Sequence, residues 1–265
     1  MYDFAYHKPS SVADAMAALK AADDGKFLAG GMTMIPTLKQ RLAQPSDLID
    51  LSGVGDLVGI TVSGGAVTIG AMTTHAAVAT STDVQSAIPA LAALAGGIGD
   101  PQVRNRGTIG GSVANNDPAA DYPAACLALG ATIKTDRREM AADDFFTDLF
   151  ETALADDEII LSVSFPKPSK AAYQKFDNPA SRYALVGVFV AQTAGGPRVA
   201  VTGSGQNGVF RVPGMESALA SSWSADAVKG MAVDAGTLNS DIHASAEYRA
   251  HLIGVMAGRA VTAAG

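Results

Sequence analysis

Cysteine is almost missing: Cys126 stands alone in 265 residues, so the chain by itself can build neither a disulfide nor a thiolate-ligated iron–sulfur cluster. On an Ala-rich helix it reads as a buried small apolar residue rather than a reactive thiol. Histidine is scarce too. His7, His75, His243 and His251 show no metal-site spacing, so they read as surface or locally bonded side chains and no metal ligand set is assigned. Basic residues number 19 against 26 acidic ones, and the net charge of -7 argues against DNA or RNA as a partner, because phosphate binding needs concentrated Lys and Arg. No long uncharged apolar span occurs, Met1–Pro9 lacks a basic region followed by an apolar run, and the twin arginine Arg137-Arg138 is internal. These absences predict no transmembrane segment and a cytoplasmic location. No Ser–His–Asp order suggests a hydrolase, and no side chain stands out as a catalytic acid or base.

What is present is hydrophobic: 48% of the chain is apolar and 17% charged, the balance of a well-packed globular protein. The length favours two domains. Two stretches carry paired glycines followed within two residues by a hydroxyl, Ala29-Gly-Gly-Met-Thr-Met-Ile-Pro36 and Thr108-Ile-Gly-Gly-Ser-Val-Ala-Asn-Asn-Asp-Pro-Ala-Ala-Asp121. Paired glycines let backbone approach a ligand and aim successive N–H groups at it, which is how a pyrophosphate is held without a lysine. Neither stretch is Gly-Lys-Ser/Thr, as a P-loop requires, nor Gly-x-Gly-x-x-Gly after a strand. A two-loop dinucleotide cradle of another kind remains, with Asp121 placed either to accept from sugar hydroxyls or to cap the next helix.

The patterning predicts an amphipathic helix over Ser11–Ala22, a strand at Lys26–Leu28, a turn at Ala29–Gly31 opening a helix near Met34–Leu42, and a strand at Asp47–Leu51. A hairpin follows across Ser63–Gly65, then helices at Thr74–Ala79 and Ile88–Ala95, a long glycine-bearing loop, a helix at Asp121–Leu129 and strands at Ala131–Thr135 and Ile159–Phe165. Pro166–Lys170 reads as a linker. Beyond it come a hairpin, Tyr183–Thr193 with Arg198–Gly203, and helices at Met215–Ala220, Ala225–Ala235 and Ser245–Ala260. Acidic pairs, including Asp156-Asp157-Glu158, read as solvated faces.

The two glycine stretches, at this separation and in this order, resemble the flavin-binding motifs of the FAD-binding (medium) subunit of molybdenum hydroxylases, a family that includes aerobic carbon monoxide dehydrogenase and the flavin portion of xanthine dehydrogenase. Asp157–Pro166 and Tyr173–Lys175 look like further landmarks of that family. The resemblance implies an α+β fold: a two-part, PCMH-like FAD-binding domain over 1–168, divided at about 55/56 into a small β-α-β subdomain and a mixed or antiparallel-sheet subdomain, then a C-terminal flavoprotein domain over 169–265 with a three-stranded sheet and helices. It assigns Ala29, Gly30, Gly31, Met32, Thr33, Thr108, Ile109, Gly110, Gly111 and Ser112 to FAD, and matches Asp121, Ile160 and Lys175 to further flavin contacts. Tyr183 would stack on the flavin ring. Ser112 stands where many members carry Asn. The implied function is electron transfer from molybdopterin, through two [2Fe-2S] clusters of a small partner subunit, to FAD here and on to a quinone, NAD or another acceptor. A dimer of heterotrimers with a small iron–sulfur and a large molybdopterin subunit is the implied assembly. The alternatives are a stand-alone flavin oxidoreductase of the same fold, which needs a catalytic acid not found here, and a non-catalytic scaffold, in which damaged glycine pairs would be expected.

Overall fold

The computed structural model describes residues 1–231 and 233–265. Its first body is a parallel three-stranded sheet. β1 (Ala5–His7) and β2 (Gly25–Leu28) flank β3 (Asp47–Asp50), and the helix Val12–Ala21 covers them. That helix starts at Ser11, whose hydroxyl accepts from the Asp14 N–H at 3.1 Å, and it buries Ala15 and Leu19 against Ile49. β1 had no strand signal because only three residues pair.

The second body is an antiparallel sheet in the order β4 (Ile60–Ser63), β5 (Ala66–Gly70), β10 (Ile160–Pro166), β6 (Thr132–Thr135) and β7 (Glu139–Ala141). Between β7 and β10 the chain makes a two-stranded ribbon, β8 (Phe146–Asp148) with β9 (Glu151–Thr152). The helices Thr82–Ala87, Ile109–Asn115 and Tyr122–Leu129 pack beside this sheet.

The third body is the sheet β11 (Lys170–Asp177), β12 (Ala184–Thr193), β13 (Gly196–Thr202) and β14 (Phe210–Arg211). The expected sheet of three strands gains a two-residue edge strand too short to announce itself. The expected linker shrinks to three residues, since β10 runs through Pro166 and β11 begins at Lys170. The helix expected at Ala225–Ala235 ends at Val228, and Ala232 lies outside the described residues. The chain closes with the helix Ala246–Ala264.

Two elements join the bodies. β12 is buried on both faces, so its sequence is a continuous apolar run rather than an alternation. Phe189 and Ala191 face the second body, while Val186, Val188 and Val190 pack with Leu252, Ile253 and Met256 of the last helix. The helix Tyr122–Leu129 is buried at all eight positions, which is why it is apolar around its whole circumference. It lies between the second sheet and the strands β12 and β13. Cys126 sits in it fully buried, and burial pushes its thiol far up.

Candidate functional site

β2 delivers the chain to the first glycine stretch at the edge of the parallel sheet. Gly31 has φ +75°, and a Cβ there would stand 2.8 Å from the Ile35 side chain, so both backbone angle and space demand glycine. Gly30 does something different: a Cβ there would run into the Arg106 carbonyl and stand 2.9 Å from the Gly107 Cα. It is the point where the first glycine stretch crosses the chain just ahead of the second. The N–H groups of Gly31, Met32, Thr33 and Met34 donate to no acceptor among the described residues, leaving four consecutive main-chain donors on one wall. Thr33 precedes the helix Met34–Lys39 but makes no side-chain cap bond.

The second stretch departs from the expected loop. Asp100 caps a short helix, Pro101–Arg106, by accepting from the Val103 N–H at 2.8 Å. Thr108 caps another, Ile109–Asn115, by accepting from the Gly111 N–H at 3.2 Å. Two adjacent glycines argue against a helix by propensity, and docking overrides that here. Ile109 and Val113 are fully buried, and the N–H groups of Ile109 and Gly110 donate to the Thr73 and Ala71 carbonyls at 3.1 and 2.8 Å. Gly110 allows this approach, because a Cβ would stand 2.5 Å from that of Ala71. The stretch therefore offers hydroxyls and space to a ligand, its backbone donors being engaged. Gly111 supplies the space: a Cβ there would stand 3.2 Å from the Ala29 Cβ, so the two motifs face each other closely. Asn116, in the left-handed region, donates to the Asp148 and Glu151 carbonyls at 2.9 and 2.8 Å, organising the turn as Asn often does.

Asp121 makes no cap bond. Its carboxylate accepts from the Tyr173 hydroxyl at 2.5 Å and lies 3.2 Å from the Lys175 ammonium. Burial pushes the Asp121 carboxyl above its usual range, and Lys175 and Tyr173 pull it back. Tyr173 and Lys175 stand two apart on β11 and so share a face. Gly187, paired with Lys175 across β12, leaves the room that the Tyr173 hydroxyl occupies.

These elements enclose a cleft of about 540 Å3 that draws walls from all three bodies, within the range of roughly 300–1,000 Å3 common for small-molecule and cofactor sites. Ala29, Gly31, Met32 and Thr33 line it, as do Thr108, Gly110, Gly111, Ser112, Asp121, Ile160 and Tyr183. Three expected residues stand behind the wall. Gly30 is the crossing point, Ile109 is an anchor, and Lys175 donates to the Gly97 and Arg182 carbonyls at 2.9 and 3.1 Å besides meeting Asp121. Tyr183 is half exposed at the mouth, and burial of its inner part raises its hydroxyl.

Sequence reasoning missed several lining groups. His75, read as a surface or locally bonded side chain, is 5% exposed. It lines the cleft, its Nδ1 has no partner among the described residues, and burial lowers its imidazole to about 4. Asp117 also lines the cleft, and burial raises its carboxyl; the Asn-Asn-Asp-Pro run before Asp121 was the available signal. Glu158, read as part of a solvated acidic face, is buried against Thr135 and Arg138, which donate to it at 2.6 and 2.8 Å. Those bonds hold it at about 2.

Residues 2–168 match the family described as the FAD binding domain in molybdopterin dehydrogenase. The chain is 36% identical to the nicotine 6-hydroxylase medium subunit of Paenarthrobacter nicotinovorans, over 98% of its own length and 96% of the relative's. It is 36% identical to the carbon monoxide dehydrogenase medium chain of Afipia carboxidovorans, over 97% and 95%. Among solved structures it superposes on the reconstituted CO dehydrogenase of Oligotropha carboxidovorans with a TM-score of 0.91 at 34% identity, covering 99% of this chain and 98% of that one.

Proposed function

The chain belongs to the family of FAD-binding domains of molybdopterin dehydrogenases, and on that premise we propose that it is the electron-transferring FAD subunit of a multisubunit, carbon monoxide dehydrogenase-like molybdenum hydroxylase. It would receive electrons from [2Fe-2S] clusters of a small partner, fed in turn by molybdopterin on a large one, and pass them to an external acceptor. A cytoplasmic dimer of heterotrimers is part of this reading, as is a boundary at 168/169 between the FAD-binding domain and the C-terminal domain.

The observation that carries the proposal is the pairing of four main-chain N–H groups, Gly31 to Met34, that no acceptor engages among the described residues, with a facing stretch that glycine keeps open at Gly111. Uncharged donors so arranged suit a diphosphate. Asp121, held by Tyr173 and Lys175, and Asp117 supply the acceptors that sugar and ribityl hydroxyls need. The residues present thus fit FAD. When bound, FAD supplies the redox chemistry. This chain's part is to hold the diphosphate on backbone donors, orient the polyol through its carboxylates, and cover the cleft with Tyr183. No proton transfer by a side chain is required for electron uptake.

Purified chain reconstituted with FAD and then desalted tests the reading, with FMN as control. Flavin absorption bands should persist with FAD and wash out with FMN, and Gly111→Trp, which fills the gap to Ala29, should abolish retention. Failure to retain FAD, both alone and in the native complex, would leave the scaffold reading in its place.

A further inference from the structure

Lys175 has a buried ammonium, with its side chain 8% exposed, that reaches three segments at once. One is Asp121 of the second motif, at 3.2 Å. Another is the Gly97 carbonyl, at 2.9 Å, which leads directly into Ile98 and Gly99 of the cleft wall. The last is the Arg182 carbonyl, at 3.1 Å, next to Tyr183. The loop between Asn178 and Tyr183 is otherwise closed on itself. Arg182 donates to the Asn178 carbonyl, Asn178 to the Tyr183 carbonyl, and the Asn178 side chain accepts from Ala180. Arg182 is exposed at φ +61°. Apart from Lys175, few bonds fasten this loop to the rest of the molecule.

A buried ammonium is costly unless paired and hydrogen-bonded, and Lys175 has two carbonyls and two carboxylates as partners, Asp121 and, at 3.5 Å on its own strand, Asp177, which leaves none of its three donors for a ligand. Tyr173, on the same face of β11, adds a second donor to Asp121 without touching the loop. We infer that Lys175 is a positioning residue of the cleft: it fixes the Asp121 carboxylate and the loop that carries Tyr183 as one unit, so that the acceptor wall and the cover close together on the cofactor. This inference rests on the flavin reading for its ligand and on the protein alone for its tie.

The test uses the full-length chain as wild type, Lys175→Met, Lys175→Arg and Tyr173→Phe, with two readouts. In FAD titrations Lys175→Met should weaken binding about 10- to 100-fold, Tyr173→Phe about 3- to 10-fold, and Lys175→Arg, which returns a cation to Asp121, should recover most of the loss. In limited trypsin digestion of the flavin-free proteins, cleavage after Arg182 should speed up about tenfold or more in Lys175→Met and stay at the wild-type rate in Tyr173→Phe. A protein merely weakened by Lys175→Met would open at many sites and would not separate the two variants. FAD affinity within threefold of wild type, together with unchanged cleavage after Arg182, overturns the inference. Should Lys175→Met not accumulate as folded chain, Lys175→Gln carries both readouts with the same expectations. If the wild type retains no FAD either alone or in its native complex, the flavin reading falls, while the trypsin comparison still decides whether Lys175 holds the loop.

Discussion

His75 shows what a single residue contributes to the pH response. Its imidazole is neutral in the folded chain down to about 4, against 6.5 when open, because burial penalises the charged form and the nearby Arg104 adds repulsion. The folded value is the lower one, so between the two the unfolded chain binds a proton that the folded chain does not. Stability from this residue is complete above the unfolded value and falls as the pH drops toward the folded one. The gap is worth on the order of 3 kcal/mol. Urea unfolding at pH 7 and at pH 4 should therefore show wild type losing about 3 kcal/mol more than His75→Leu. Equal losses would mean that the imidazole meets the proton as easily folded as unfolded.

At the scale of elements, the helix Ile109–Asn115 and the turn at Ala71–Thr73 on which it docks separate two roles that one motif combines. Gly110→Ala drives a methyl against Ala71 side chain and backbone, which should cost about 1–3 kcal/mol in chemical denaturation and displace the helix. Gly111→Ala meets only the Thr108 hydroxyl at 3.0 Å and the Ala29 Cβ at 3.2 Å. It should leave stability within about 1 kcal/mol yet weaken FAD about tenfold in titration, since it narrows the gap between the motifs. The reverse pattern would show that the gap is not the ligand's path. Much of this was legible beforehand. Ser11 and Thr74 announce their helices through side-chain caps, and the glycine pairs mark where backbones cross. What was not legible is tertiary. Nothing local says that Gly110 and Gly111 would be helical, that His75 would turn inward, or that Lys175 would be spent on carbonyls from two distant segments. The 178–183 loop reaches the cleft only because β11 and β12 place it there, and no spacing encodes that approach.

For the whole molecule, the site belongs to neither half alone. Ser181, Arg182 and Tyr183 wall the cleft from the third body. Thr202 donates to the Pro118 and Ala120 carbonyls at 3.0 and 2.6 Å, and Gly203 donates to Pro118 at 2.8 Å. Arg198 donates to the Leu127 carbonyl at 2.7 Å. A chain ending at Pro168 would lose these ties and bare the apolar helix Tyr122–Leu129 on its β12 side. Such a fragment should bind a hydrophobic dye, aggregate, and fail to retain FAD in the desalting assay. A soluble fragment holding flavin would show that the third body is dispensable to the site. The same helix gives the chain a clock. Cys126, its only thiol, is sealed between the second sheet and the third, so a reagent can reach it only in the moments when those bodies part. The pace of its modification in native buffer counts those partings, without any engineered label, and its slowing on addition of a ligand reports how far that ligand holds the halves together.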